Sequence, residues 1–272
     1  MSKIITLGFA GLAISAAMLV SGYLAGQGGA ANAQAPRVIV AQASLDDTLD
    51  RTAIEGIVRD YLLANPELML EVQQALEQKQ QVAQRVAQTQ SIANDSDRIF
   101  NAEHDGIFGN PDGKYTLVEF FDYNCGYCKR AMADMEAMAA ADPEVRFVLK
   151  EFPILGPDSQ KAHIVSMAFR ALSPDRYGEF HTQLMGAAER ATEESAIAVA
   201  VSLGADEAAL REEMKNPAIV AAFQDTYELA DRLSITGTPS YVVGDEVVFG
   251  ALGRTVLEQK VANLRECASA TC

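Results

Sequence analysis

The hydrophobic pattern changes period several times along the chain, and each change predicts an element. Residues 4–20 are a mostly apolar, uncharged run behind one basic residue, Lys3, and a Gly/Ala-rich stretch follows. Residues 34–46 are rich in Ala and Gln without any period and predict a flexible lead. From Asp47 the period becomes helical: Ile54, Ile57, Val58 and Tyr61 recur at i, i+3, i+4, i+7. Asn65-Pro66 then predicts a new helix, with Asn65 as its cap and Pro66 in its first position, where a missing N–H costs nothing. That helix, residues 66–90, carries Leu68, Val72, Ala75, Val82 and Val86 in alternating steps of three and four, interrupted by Lys79. Its polar residues are mostly Gln, and a helix this polar cannot build a core by itself. It packs on the main domain or on copies of itself, or it is a solvated linker. Its resemblance to a short coiled coil points to self-association.

Residues 94–113 are rich in Asn, Asp and Gly and predict a boundary with two short strands, at Ile99-Phe100 and Ile107-Phe108. The following order is strand (115–121, interrupted by Glu119), turn (Asp122-Tyr123-Asn124), helix (126–141, stopped by Asp142-Pro143) and strand (145–152). This is a crossover unit with parallel strands. Residues 158–233 read as helices rich in Ala, Met, Leu and Glu, punctuated at Ser173-Pro174, Gly186, Gly204 and Asn216-Pro217. Strands return at 240–243 and 246–249 around a two-residue Gly244-Asp245 turn, and a last helix covers 255–266. The expectation is an α/β domain, βαβ and ββα separated by a helical block at about 157–234, behind an N-terminal helical region at 34–93.

Composition adds a compartment. Ala31-Asn32-Ala33 completes the 4–20 run as a cleavable export signal over residues 1–33; the alternative is an uncleaved membrane anchor. With 49% hydrophobic residues, the 272-residue chain can bury a core. Its net charge of −15 argues against nucleic acid or anionic lipid as a partner. Export, in the style of a bacterial periplasmic protein, would place the four cysteines in an oxidising compartment.

Those cysteines include the spacing that carries chemistry, Cys125-Gly126-Tyr127-Cys128. Haem attachment requires His after the second cysteine, and Lys129 stands there. A zinc site requires four ligands, which Cys267 and Cys272 could complete, but exported thiols oxidise; no metal and no cofactor are expected. A structural disulfide spanning four residues would restrict the unfolded chain little. A redox pair at a strand-to-helix junction remains. A helix N-terminus presents unpaired N–H groups and a positive partial charge, so Cys125 is the expected nucleophile and Cys128, one turn inward, the resolving thiol. Glu119, in an apolar strand, is a proton-exchange partner of Cys128, an ion-pair partner of Lys150, or both. Thr236-Gly237-Thr238-Pro239, before the hairpin, reads locally as an ordinary trans turn proline; with a strand, the Cys-x-x-Cys pair and a helix ahead of it, the loop is expected instead to face the cysteines with a cis Thr238–Pro239 bond.

The segments Phe120-Phe121-Asp122-Tyr123-Asn124-Cys125-Gly126-Tyr127-Cys128-Lys129, Lys150-Glu151-Phe152-Pro153-Ile154-Leu155 and Thr236-Gly237-Thr238-Pro239 resemble the DsbA family of periplasmic thiol oxidoreductases, and most of all its ScsC-like branch, named for suppression of copper sensitivity. The resemblance covers about residues 94–266 and reaches the N-terminal helices. It implies a thioredoxin fold with an inserted helical domain, a buried acid at Glu119, a cis-proline loop at Thr238 and Pro239, and substrate binding by Gly126, Tyr127, Thr238 and Pro239. It also implies oligomerisation, with a trimer expected first and a dimer second. DsbA carries Pro-His between its cysteines and Val before its cis proline. Gly-Tyr and Thr here are similar to DsbC-type isomerases. Tyr127 cannot stabilise a thiolate as that His does, so a less oxidising pair is expected: a disulfide isomerase or reductase acting on misfolded or reduced exported proteins, re-reduced by a membrane thiol relay of DsbD or ScsB type. The alternatives are a DsbA-like dithiol oxidase and, outside enzymes, a holdase or copper-binding protein. Met132, Met135 and Met138 are read as core rather than copper ligands, and His104, His163 and His181 as surface or satisfied polar residues. Cys267 and Cys272 are expected to form a tail disulfide, with a second relay to Cys125 or free thiols as alternatives.

Overall fold

A computed structural model describes residues 50–272. The export signal and the lead over residues 34–46 lie outside the described residues. Among those described, no helix is long and apolar enough to cross a membrane. The chain divides into two units, Met1–Ala64 and Asn65–Cys272.

The described part of the first unit is helix α1, Arg51–Ala64, with no buried residue. Ile54, Ile57, Val58 and Tyr61, the stripe legible in the sequence, all remain exposed.

The second unit opens with α2, Glu67–Asn94. Pro66, rather than Asn65, is its capping residue, and Asn65 contributes its main-chain carbonyl, which accepts from Leu68 N–H at 3.2 Å. Val72, Val82 and Val86 are exposed, whereas the last turns of the helix meet the body of the unit at Ile92. Helix α3, Ser96–Phe100, stands where the sequence predicts a strand at Ile99-Phe100. Five residues suffice to bury Ile99 completely beneath the sheet, and an isolated apolar pair has no period that separates a helix turn from a strand.

The sheet has strand order β1-β3-β2-β4-β5, with β1 Gly106–Gly109, β2 Tyr115–Phe121, β3 Val145–Glu151, β4 Ser240–Val243 and β5 Glu246–Phe249. Strand β2 is central. It pairs in parallel with β3, through the crossover helix α4 (Gly126–Ala141), and antiparallel with β4. Between β3 and β4 the chain inserts α5 (Pro157–Leu172), α6 (Tyr177–Gly186), α7 (Glu193–Ser202), α8 (Glu207–Glu213) and α9 (Pro217–Arg232). Helix α10, Arg254–Cys267, closes the unit. This is the thioredoxin-like fold with a helical insertion expected from the sequence.

Side chains alternate across the sheet, and each face has its own core. Leu117, Phe121, Phe147, Leu149 and Tyr241 meet Met132, Met135, Met138 and the inserted helices on one face. Val118, Phe120, Val148 and Val242 meet Ile92, Ile99, Leu229 and Leu233 on the other. The three methionines are therefore core residues. Burial on both faces explains why β2 and β3 read as near-continuous apolar runs. The β4–β5 turn needs glycine at position 244: φ is +57°, and a Cβ there would lie 2.5 Å from Leu264 Cδ2.

Candidate active site

Strand β2 ends at Phe121 and the chain turns through Asp122-Tyr123-Asn124 into α4. Cys125 is the capping residue of that helix, in extended conformation (φ −78°, ψ 115°), and its carbonyl accepts from Lys129 N–H at 3.0 Å. The helix N-terminus is thus open toward the Cys125 sulfur. Cys125 and Cys128 are both free thiols, 6% and 1% exposed. The first is shallow, with exposed Gly126 and Tyr127 beside it, and the second lies beneath it. Tyr127 projects outward, with the Arg130 guanidinium 4.2 Å from its ring centroid.

The loop before β4 closes over the sulfur. Thr238–Pro239 is a cis peptide bond, and Cys125 Sγ is 3.1 Å from the Thr238 carbonyl oxygen. Ser240 Oγ donates to Gly237 O at 2.8 Å, and Pro239 O accepts from Gly250 N–H at 2.9 Å. These bonds tie both ends of the loop to the sheet.

The Cys125 thiol is pushed down to about 5. The main cause is a hydrogen bond from the Cys128 thiol, reinforced by the Thr238 side chain and by the N–H groups of Cys128 and Tyr127, against opposition from burial. Cys128 moves the other way, far above the ordinary thiol range, because it is buried, donates to Cys125 and feels Glu119. At neutral pH the pair is one shallow, nearly buried thiolate and one thiol beneath it.

Glu119 is 3% exposed, and burial pushes its carboxyl up to about 8. Tyr241, its register partner on β4, supplies a side-chain hydrogen bond. The ion pair with Lys150 considered from sequence does not form. In the parallel β2–β3 register Glu119 faces Leu149 and Lys150 faces Phe120, so the two charges lie on opposite faces of the sheet. Lys150 instead bonds Asp105 Oδ2 at 2.5 Å and Arg98 O at 2.6 Å. Glu119 shares its face with the cysteines.

Several residues of the site are silent in the sequence. Asp122 is fully buried, and its two oxygens accept four hydrogen bonds at 2.8–2.9 Å: from Asn124 N–H and Ser159 Oγ on one, and from Ile154 and Leu155 N–H on the other. It fastens the cysteine turn to the loop after β3. Asn124 joins the same turn to the inserted helices, accepting from Ala191 N–H at 2.8 Å and donating to Ala191 O at 3.0 Å. His163 is buried with both ring nitrogens hydrogen-bonded, the satisfied polar reading, whereas His181 is buried with Nδ1 unpartnered and is neither surface nor satisfied. The polar spacing Asp-x-Asn is the only sequence signal for any of these, and it reads as a turn.

Cys267 and Cys272 form a disulfide with each other. Their tail lies against Asp245 at the β4–β5 turn, and the neighbouring Arg265 pairs with Asp142 at the C-terminal end of α4. Cys125 is at the opposite end of that helix, about 24 Å away along its axis, so the tail does not relay electrons to it within one chain.

A DSBA-like thioredoxin domain model matches residues 116–262, more than half of the chain. The chain belongs to the DsbA-like thioredoxin family. A second model, the N-terminal domain of the copper resistance protein ScsC, matches residues 50–83. Solved structures similar to this DsbA-like chain include a thioredoxin-like oxidoreductase from Silicibacter pomeroyi, 39% identical with a TM-score of 0.60 over 63% of this chain and 98% of that one. A linker-deletion variant of Proteus mirabilis ScsC is 28% identical, with a TM-score of 0.59 over 80% and 95%. The thiol-disulfide exchange protein alpha-DsbA2 from Wolbachia pipientis is 27% identical, with a TM-score of 0.62 over 67% and 98%. Among curated proteins, the Na(+)/H(+) antiporter NhaA 3 of Salinispora tropica is 22% identical over 141 residues, and the chain spans only 22% of its length.

Proposed function

We propose that this DsbA-like protein is a periplasmic thiol–disulfide oxidoreductase working as a disulfide isomerase or reductase on exported proteins. The observation that carries the chemistry is the split of the Cys125–Cys128 pair into a shallow thiolate and a deep thiol. Cys125 sulfur attacks one sulfur of a substrate disulfide. A Cys125–substrate bond forms, and the other substrate sulfur leaves as a thiolate that takes up a proton. A substrate thiol can then displace Cys125, which isomerises the substrate without net electron transfer. Otherwise Cys128 gives its proton to the Glu119 carboxylate and attacks Cys125, so that the substrate leaves reduced and the pair leaves oxidised. Glu119 is suited to that exchange because its carboxyl ionises near neutrality. Gly126, Tyr127, Thr238 and Pro239 border the sulfur and form the surface on which a substrate chain lies.

The isomerase direction rests on Gly-Tyr between the cysteines, which supplies no side-chain cation to the thiolate. A membrane thiol relay of DsbD or ScsB type would keep the pair reduced. Residues 34–93 supply the oligomerisation region, a trimer first and a dimer second, consistent with the exposed apolar residues of α1 and of the first two-thirds of α2. Residues 94–272 supply the catalytic domain, and the 1–33 signal supplies export. A second reading, a DsbA-like dithiol oxidase, is favoured by one observation: a thiol near 5 stabilises the reduced form and so makes the disulfide oxidising. Scrambled ribonuclease separates the two. Reactivation by catalytic amounts of reduced protein supports the isomerase. Oxidation of a reduced peptide with no unscrambling supports the oxidase.

A further inference from the structure

Behind the cysteine turn lies a buried polar chain that the dithiol chemistry does not use. Glu151, at the end of β3, is 5% exposed, and His163 and Ser166 on α5 are fully buried. Glu151 Oε1 accepts from Ser166 Oγ at 2.6 Å and from Tyr177 OH at 2.8 Å. Its Oε2 bonds His163 Nδ1. The other ring nitrogen, His163 Nε2, accepts from the backbone N–H of Tyr123 at 3.2 Å, two residues before Cys125. Because Ser166 donates to Glu151, the bond between Tyr123 OH and Ser166 Oγ (2.8 Å) runs from tyrosine to serine. Every direction is then fixed, and the ring proton of His163 must sit on Nδ1.

We propose that His163, held by Glu151 as the Nδ1–H tautomer, is a positioning residue that fixes the backbone of the turn presenting Cys125. It rests on the reading of Cys125 as the nucleophile. Tyr123 N–H sits in a fully buried residue among Phe121, His163 and His181, with ring centroids 4.7 Å from His163 and 5.5 Å from His181. An unpartnered amide there is costly. Imidazole Nε2 is the acceptor that satisfies it, and the inserted helix that carries it is thereby coupled to the cysteine turn. The other ionisable groups facing the ring are Tyr123, whose phenol burial pushes up, Asp122, whose Oδ1 is 3.9 Å from Nε2, and His181, which burial pushes down to about 3 and so keeps neutral. Asp122 is already engaged by four donors. The thiolate of Cys125 draws on the N–H groups of Tyr127 and Cys128, and it reaches them only while the turn holds its place.

The test uses the full chain. Nitrogen-15 spectra of the His163 ring should show the neutral Nδ1–H tautomer near neutral pH; an Nε2–H tautomer or an imidazolium overturns the proposal. His163→Leu should raise the midpoint of Cys125 alkylation by about one pH unit, a tenfold change in its ionisation constant. The same tenfold change makes the reduction potential about 30 mV more negative. His163→Gln, which can both accept from Tyr123 and donate to Glu151, should return both toward wild type. A folded His163→Leu protein with unchanged midpoint and potential overturns the proposal. Should that variant not fold, the tautomer and His163→Gln decide: Nδ1–H with a near-wild-type midpoint supports it, and a shifted midpoint in His163→Gln overturns it. Cys125→Ser is run alongside. Turnover surviving in Cys125→Ser sinks the nucleophile assignment itself, a result distinct from any outcome at His163.

Discussion

Cys125 Sγ and the Thr238 carbonyl oxygen lie 3.1 Å apart, although 113 positions separate the residues in sequence. In the thiol form the S–H donates to that carbonyl. In the ionised form the sulfur has nothing to donate and turns to the Cys128 thiol, the Thr238 side chain and the N–H groups of α4. The loop before β4 therefore serves both states of the nucleophile, and the balance between them sets reactivity.

Alkylation of reduced protein should follow that balance, with a midpoint near pH 5 for Cys125 and no reaction at Cys128 until the protein unfolds. The sign also extends to stability. A thiol lowered from its ordinary 9.0 to about 5 stabilises the folded reduced form fully above pH 9, and this stabilisation is lost as the pH falls through 5. The disulfide form has no such group. The unfolding-temperature difference between reduced and oxidised protein should shift toward the reduced form as pH rises from 5 to 9, as scanning calorimetry on both forms would record.

Glu119→Gln probes the buried acid. Because its folded value is raised from 4.5 to about 8, Glu119 favours folding most below pH 4.5, and that contribution is lost as pH rises through 8. Gln carries no such penalty and leaves Tyr241 a partner. Urea midpoints of oxidised protein should therefore move in favour of Glu119→Gln between pH 5 and pH 8. Release of a mixed disulfide through Cys128 should slow by about 100-fold, the lower end for a lost proton acceptor, in single-turnover assays.

Asp122→Ala would strand four donors, two of them the main-chain N–H groups of Ile154 and Leu155. At about 1–3 kcal/mol for each unsatisfied buried group, with partial rescue by water, the loss should exceed about 3 kcal/mol in a denaturant titration. Leu155, Ile154 and Asn124 amides should lose exchange protection first.

Deletion of residues 34–83 should convert an oligomer into a monomer of intact thiol chemistry, as read by molar mass in solution and Cys125 alkylation. The cut stops short of residue 88 because the end of α2 is hydrogen-bonded to the catalytic domain: Gln88 Oε1 accepts from Val247 N–H at 3.0 Å, and Thr89 donates to Asp245 O at 3.3 Å. A protein of unchanged mass would remove the support for assembly through this segment.

The strands and helices around the cysteines were legible because their signals are local. An apolar run between polar turns marks β2, Asp142-Pro143 ends α4, and Gly244-Asp245 marks the last hairpin. The Cys125–Cys128 spacing named its own chemistry. What sequence could not supply was register. Glu119 and Lys150 sit on neighbouring strands and looked like a pair, and only the β2–β3 alignment shows them on opposite faces. The roles of Asp122, Glu151 and His163 were not legible because each acts through partners 12 to 40 positions away, where no periodicity points.

The most direct test of the whole account is to mix reduced Cys128→Ser protein with a peptide disulfide and locate the adduct by mass spectrometry. A single stable mixed disulfide on Cys125, formed at a rate that rises with pH and levels below the ordinary thiol range, is the predicted result, because the serine hydroxyl keeps a donor where the Cys128 thiol bonded Cys125. No adduct at Cys125, or one whose rate keeps climbing to pH 9 as for an unactivated thiol, would contradict it.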